Sequence, residues 1–270
     1  MAACGVCTHR QCISPLAEDH LQAQYGEMYF HGGGSGYADY TAEADLLLAH
    51  GRRYRELVAQ YASPGALLDI GCAAGYVAKA FADAGWHASG IDPNVEMVAV
   101  ARDQMRIGAV QGSLEQADSS IGLEVPDGGF DLVTLIQVVA HLYDLPVALR
   151  RLASLTRIGG LCLIETWDSA SLTARLLGRR WHEYSPPSAL HYFSRGSLDR
   201  ALAAHGFDRV ATGRPLKRLR LDHARSLFRH TYANSVWGRA AAAALDYLPG
   251  AFTIPYPAED LFWTLYRRMR

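Results

Sequence analysis

Between Thr41 and Tyr61 the positions Leu46, Leu47, His50, Tyr54, Leu57, Val58 and Tyr61 recur at helical spacing, and Ser63-Pro64-Gly65 closes the segment. From Ala66 onward, short apolar runs alternate with helical patterns. Strands are predicted at 66–70, 87–91, 108–112, 130–138 and 161–167, and helices near 74–84, 94–105 and 144–157. Gly85 follows the first of these helices, Pro146 sits near the start of the third, and Gly159-Gly160 follows it. Strand–helix alternation of this kind implies a parallel sheet covered on both faces.

After Trp167 the rhythm breaks. Residues 168–195 include GRRWHEYSPPSALHYFSR, rich in aromatics, histidine and proline, where an alternating sheet needs only a short connection. A lid or binding loop is expected there. A helix (196–205), a strand (207–212), a helical segment (222–247) and a last strand (259–268) complete the pattern. The organisation expected is an N-terminal segment and helical cover over 1–62, then an α/β domain over 63–270. That domain carries a lid insertion at about 168–195 and a helical insertion at about 217–256.

The chain has 270 residues, half of them hydrophobic, enough for a full core without disulfide or metal staples. No apolar run approaches the roughly 18 residues of a membrane span, and MAACGVCTHRQCIS has no signal-peptide core, so a cytoplasmic protein with no membrane partner is expected. Five cysteines, with Cys72 and Cys162 on predicted core elements, make no disulfide framework. Arg195–Arg229 holds nine basic residues against three acids, a net +6 in a chain of net −1. That segment reads as a solvated face or a rim for an acidic substrate; near-neutral balance and the lack of interleaved aromatics argue against nucleic acid.

The stretch LLDIGCAAGYVAKAF (67–81) admits two readings. A dinucleotide fingerprint starting at Gly71 needs glycines where Ala73 and Tyr76 stand. The pattern D-x-G-x-G-x-G from Asp69 is met by Asp69, Gly71 and Gly75, with Ala73 as its one departure. A carboxylate at the strand tip, facing a helix N-terminus, disfavours a diphosphate and suits a ligand with an ammonium group. Asp92, 21 residues after Gly71, stands where an acid can accept from both hydroxyls of a ribose.

With LLDIGCAAG, GIDPN, VQGSLEQ, FDLVTLIQVVAHLYD and RIGGLCLIE in this order over about 60–168, the chain resembles the class I S-adenosylmethionine-dependent methyltransferases. The resemblance implies a Rossmann-like α/β fold with a seven-stranded, mostly parallel sheet whose final strand, 259–268, runs antiparallel. It implies S-adenosyl-L-methionine as cofactor, held by the turn (Asp69, Gly71, Cys72, Ala73, Gly75) and by Asp92-Pro93. Ser113 and Leu114 map to the turn that frames adenine, and Gln137 to the methionine end. Where many relatives have Glu-His, this chain has Ala140-His141. YGEMYFHGGGSGYADY (25–40) looks like the aromatic entry that folds over the cofactor, with Tyr29, Tyr37 and Tyr40 suited to a sulfonium. SPPSALHYFS resembles a family segment in which Ser188-Ala189 replace Glu-His.

Such a cofactor brings an activated methyl group, so a general base is needed only for a nucleophile such as a hydroxyl or an acidic carbon. The candidates are His141, His182 and His191, with Glu183, Tyr184 and Tyr192 beside them. Cys4-x-x-Cys7, with Cys12, His9 and His20, raises a zinc site, but no second C-x-x-C follows, and no metal is assigned. The expected function is methyl transfer to a small-molecule acceptor, most simply a metabolite hydroxyl. N- or C-methylation, or a silent cofactor-binding subunit, are the alternatives.

Overall fold

The computed structural model describes residues 1–13, 24–25, 40–216, 218–220, 253–255 and 258–270. The expectations for Tyr29, Tyr37, His20 and the helical segment 222–247 lie outside these residues. Residues 1–215 and 259–270 form one compact unit, and 216–258 a second.

The first unit opens with strands β1 (Ala2–Ala3) and β2 (Arg10–Gln11), followed by helix α1 (Ala44–Val58). The alternating region then runs β3 (Ala66–Ile70), α2 (Tyr76–Ala82), β4 (His87–Asp92), α3 (Val95–Asp103), β5 (Gly108–Gln111), β6 (Phe130–Ile136), α4 (Leu145–Leu155) and β7 (Thr156–Trp167). Helix α5 (Leu172–Leu177), strand β8 (His191–Tyr192), helix α6 (Arg195–Ala203) and strand β9 (Phe207–Gly213) follow. In the second unit, β10 (Arg218–Arg220) pairs antiparallel with β11 (Thr253–Pro255). Strand β12 (Leu261–Arg268) ends the chain within the first unit.

Seven strands form one sheet in the order β5-β4-β3-β6-β7-β12-β9. β5, β4, β3, β6 and β7 are parallel, and β12 runs antiparallel to both β7 and β9. Side chains alternate across the sheet. Leu68, Ile70, Val133 and Leu135 face Leu149 and Leu152 of α4 and Leu198 and Leu202 of α6. Leu67, Leu132, Leu161 and Leu163 face Tyr54 and Val58 of α1 and Ala78 and Phe81 of α2. Each of these leucines is fully buried or nearly so, which contributes roughly 1.5–3 kcal/mol apiece. α1 approaches α2 closely because Gly51 has no side chain: a Cβ there would lie 2.8 Å from that of Ala80. Among the described residues, no helix is long and apolar enough to cross a membrane.

Two local expectations are corrected. Gly159-Gly160 does not end a helix; it lies inside β7, which begins at Thr156. A Cβ at Gly160 would lie 2.8 Å from the Arg157 carbonyl and 3.0 Å from that of Phe130, so the glycine permits an irregularity where β6 and β7 shift register. The strand expected at 130–138 stops at Ile136, because Gln137 turns into the left-handed region at φ 62°. Residues 168–195 are structured: Ser171 caps α5 through the Ala174 amide, and Glu259 accepts from the amides of Leu172 and Thr173. β8 extends the β1–β2 pair to a three-stranded sheet.

Candidate active site

A cavity of about 830 Å³, part of it open to solvent, lies at the carboxyl ends of β3, β4, β5 and β6. Its first wall is the β3–α2 turn. Gly71 (φ 66°), Ala73 (φ 45°) and Gly75 (φ 79°) all take left-handed backbone, which lets the chain reverse within five residues before α2 begins at Tyr76. The amides of Gly71 and Cys72 both donate to the Ile91 carbonyl (2.7 and 3.0 Å), tying the turn to β4. A Cβ on Gly71 would meet Val138 Cγ2 at 2.4 Å.

Asp92, at the end of β4, organises that wall. Its Oδ2 accepts from the Ala73 amide (2.8 Å) and its Oδ1 from the Asn94 amide (2.9 Å), while Asn94 Oδ1 caps α3 through the Met97 amide (2.9 Å). Burial pushes its carboxyl up to about 6, against the two amides, which favour the charged form. The second wall comes from the β5 exit. Glu115 Oε1 accepts from the amides of Tyr143 and Asp144, whereas Glu115 Oε2 and Ser113 Oγ are buried and make no hydrogen bond among the described residues. Burial raises the Glu115 carboxyl against the Asp144 and Tyr143 amides.

The β6 exit gives the third wall, Ile136 to Leu142. His141 Nδ1 lies 2.9 Å from the Ser188 carbonyl, which can only accept, so Nδ1 carries the proton and Nε2 has the lone pair. Burial lowers the basicity of this imidazole and keeps it neutral. Tyr25 and Tyr40 complete the lining. Tyr25 donates to the Ser188 carbonyl (3.0 Å), accepts from Asn94 Nδ2 through its own carbonyl (2.9 Å), and sets its ring edge-on to His141.

A family model described as a methyltransferase domain matches residues 43–212, more than half of the chain. The chain belongs to the methyltransferase domain family. Over 130 residues it is 32% identical to a ubiquinone biosynthesis O-methyltransferase of Bradyrhizobium sp., covering 44% of this chain and 51% of that one. Over 141 residues it is 33% identical to the protein of the same name from Xanthomonas campestris, covering 47% and 59%. The chain thus spans about half the length of the curated relatives it matches. The crystal structure of a SAM-dependent methyltransferase from Archaeoglobus fulgidus superposes with a TM-score of 0.56 at 17% identity, over 84% of this chain and 98% of that one, a likeness of fold.

On this methyltransferase domain the cavity gathers most, and not all, of the residues singled out from sequence. Tyr40, Gly71, Ala73, Asp92, Pro93, Ser113, Leu114, Gln137 and His141 line it. Asp69, Cys72 and Gly75 do not. Asp69 is buried in the sheet, where it accepts from Thr134 Oγ1 (2.6 Å); burial pushes it up to about 7, opposed by that bond and reinforced by the charge of Asp92. The Cys72 side chain packs beneath the turn against Gly90, where an added Cβ would lie 2.5 Å from its sulfur. Gly75 supports the start of α2 and packs on Ala101.

His191 does not line the cavity. It is 1% exposed, and its Nε2 donates to the Leu142 carbonyl (2.9 Å), so its Nδ1 accepts from His9 Nε2 (3.2 Å). His191 therefore braces the loop that carries His141. His182 is also away from the cavity, beside Glu183 (3.1 Å) and Asp260 (3.8 Å) with Trp167 and Trp181 against its ring; the Glu183 bond raises its basicity. Cys4 is exposed, Cys7 and Cys12 are partly so, and no group of three metal-binding side chains occurs among the described residues. Sequence reasoning missed Tyr25 and Glu115 as lining residues. Both lie inside the quoted motifs, but neither carries a spacing that separates a lining residue from a neighbour.

Proposed function

We propose that this methyltransferase domain uses S-adenosyl-L-methionine to methylate a hydroxyl of a small-molecule acceptor. The observation that carries the reading is the pairing of Asp92 with the Ala73 amide on a cavity wall made by a left-handed turn. The residues present fit the cofactor. Glu115 Oε2 and Ser113 Oγ offer buried polar atoms awaiting partners, Asp92 offers lone pairs to hydroxyl donors, and Gly71 keeps the wall free of a side chain. Tyr25 and Tyr40 supply aromatic surface suited to a cation.

When bound, the cofactor supplies a methyl group already activated by its sulfonium. The chain's own part is to orient the acceptor, exclude water and take up a proton. His141 is suited to the last task, since its Nε2 lone pair belongs to a neutral imidazole on the cavity wall. The curated relatives, O-methyltransferases by name, favour oxygen as the acceptor atom.

The test has two arms. Calorimetric titration with S-adenosylhomocysteine is expected to show binding to the wild type; its absence would refute the cofactor assignment. With a panel of hydroxyl-bearing metabolites, His141→Gln is expected to lower kcat by about 10²-fold or more while leaving S-adenosylhomocysteine affinity in place. Undiminished turnover would remove His141 as the base.

A further inference from the structure

Glu165 lies on β7 away from the cavity wall and is fully buried, yet two side chains of α1 and one from the β6 exit converge on it. His50 Nε2 lies 2.8 Å from its Oε2, Tyr54 donates to the same oxygen, and Gln137 Nε2 donates to Oε1 at 2.6 Å. The Gln137 amide also donates to the Glu165 backbone carbonyl (2.9 Å). Gln137 is thus clamped twice by one residue, and it needs the clamp: at φ 62° a side-chain-bearing residue stands in a region that costs of order 1–3 kcal/mol.

The clamp also decides which end of the Gln137 amide remains for the cavity. A carboxylate that takes donors from His50 and Tyr54 on one oxygen accepts on the other as well, so Gln137 must turn its NH₂ toward Glu165. Its carbonyl oxygen is left for whatever occupies the cavity.

We propose that Glu165 is a positioning residue that acts through Gln137, presenting an acceptor oxygen to the hydrogen-bond-donating, positively charged end of the cofactor. Helix α1, through His50 and Tyr54, holds Glu165 in place for this. The inference rests on the cofactor reading above.

Glu165→Gln probes it directly. Tyr54 and His50 still need an acceptor, so the new amide keeps its oxygen toward them and its NH₂ toward Gln137. Gln137 must then flip and offer NH₂ to a cationic ligand. The expected result is about ten-fold weaker binding of S-adenosylmethionine by calorimetry, with the melting transition retained. Gln137→Leu is expected to cost a similar factor, and the double variant no more than the larger single effect, because both act at one atom. Effects that multiply in the double variant, or wild-type affinity in Glu165→Gln, would overturn the proposal. Should Glu165→Gln fail to fold, Tyr54→Phe removes one donor from the same carboxylate, and the same non-additivity with Gln137→Leu is required. A wild type that binds neither S-adenosylmethionine nor S-adenosylhomocysteine would instead strike the cofactor reading.

Discussion

The Ala73 amide donates to Asp92 Oδ2 at 2.8 Å, so the residue that departs from the glycine pattern is hydrogen-bonded to the acid at the end of the neighbouring strand. Asp92 holds the turn and the α3 start together while facing the cavity. In Asp92→Ala, the buried amides of Ala73 and Asn94 both lose their acceptor. Each such loss costs about 1–3 kcal/mol, so denaturant titration should show a destabilisation of at least about 2 kcal/mol. Calorimetry should show S-adenosylhomocysteine binding abolished in the same variant.

Binding should also depend on pH through this group. Its carboxyl stands at about 6 in the folded protein, above the usual 3.8, so acidification neutralises it before most carboxylates outside the core. Hydroxyl donors prefer the charged form. Affinity for S-adenosylhomocysteine should therefore rise as pH rises through about 6 and level off above 7, with about ten-fold weaker binding at pH 5. Asp92→Asn should bind more weakly and show a flatter profile; an unchanged slope would assign it to another group.

Ala73 occupies φ 45°, where a Cβ costs about 1–2 kcal/mol, while glycine brings back roughly 0.5–1 kcal/mol of unfolded-chain freedom. Ala73→Gly should accordingly raise the melting temperature slightly. It should bind S-adenosylhomocysteine at least as tightly as the wild type, since the amide that reaches Asp92 is retained. A lower melting temperature would mean that the methyl group's packing with Tyr76 and Met97 outweighs the backbone cost.

His191 should make folding stability depend on pH. Burial, then the neighbouring His9, lowers its imidazole to about 4, with the Leu142 carbonyl opposing. The unfolded chain takes a proton near 6.5 that the folded protein refuses. This contribution is complete above 6.5 and is lost as pH falls toward 4, at about 1.4 kcal/mol per pH unit. Urea denaturation of wild type and His191→Gln at pH 7, 6 and 5 isolates it, because the buried carboxylates are common to both. The stability gap between them should narrow with acid; a constant gap would count against it.

The alternating half of the chain was legible because its central strands β3, β6 and β7 are buried on both faces over most of their length and each helix must bury one side. β3 is predicted to its end residues, and Asp92, Ser113 and Gln137 fall on the cavity because strand ends in such a sheet point to one edge. What was not legible depended on contacts far apart in sequence. His191 looked like a loop residue open to substrate; the pairing of β8 with β2 and the stacking of His9 bury it. Glu165 read as one residue of an apolar strand, since nothing local marks that His50, Tyr54 and Gln137 meet at its carboxylate. Gly159-Gly160 read as a stop because a double glycine at a helix end and one at a bulge look alike in sequence.

β9 and β12 are neighbours in the sheet, with Gly213 opposite Trp263, so a tight hairpin turn would suffice to join them. The chain instead inserts a second unit there, and that unit begins and ends on paired strands, Arg218 facing Pro255. The register of β12 is set by its ladders with β7 and β9, both within the first unit, so the sheet closes without a strand from residues 216–258.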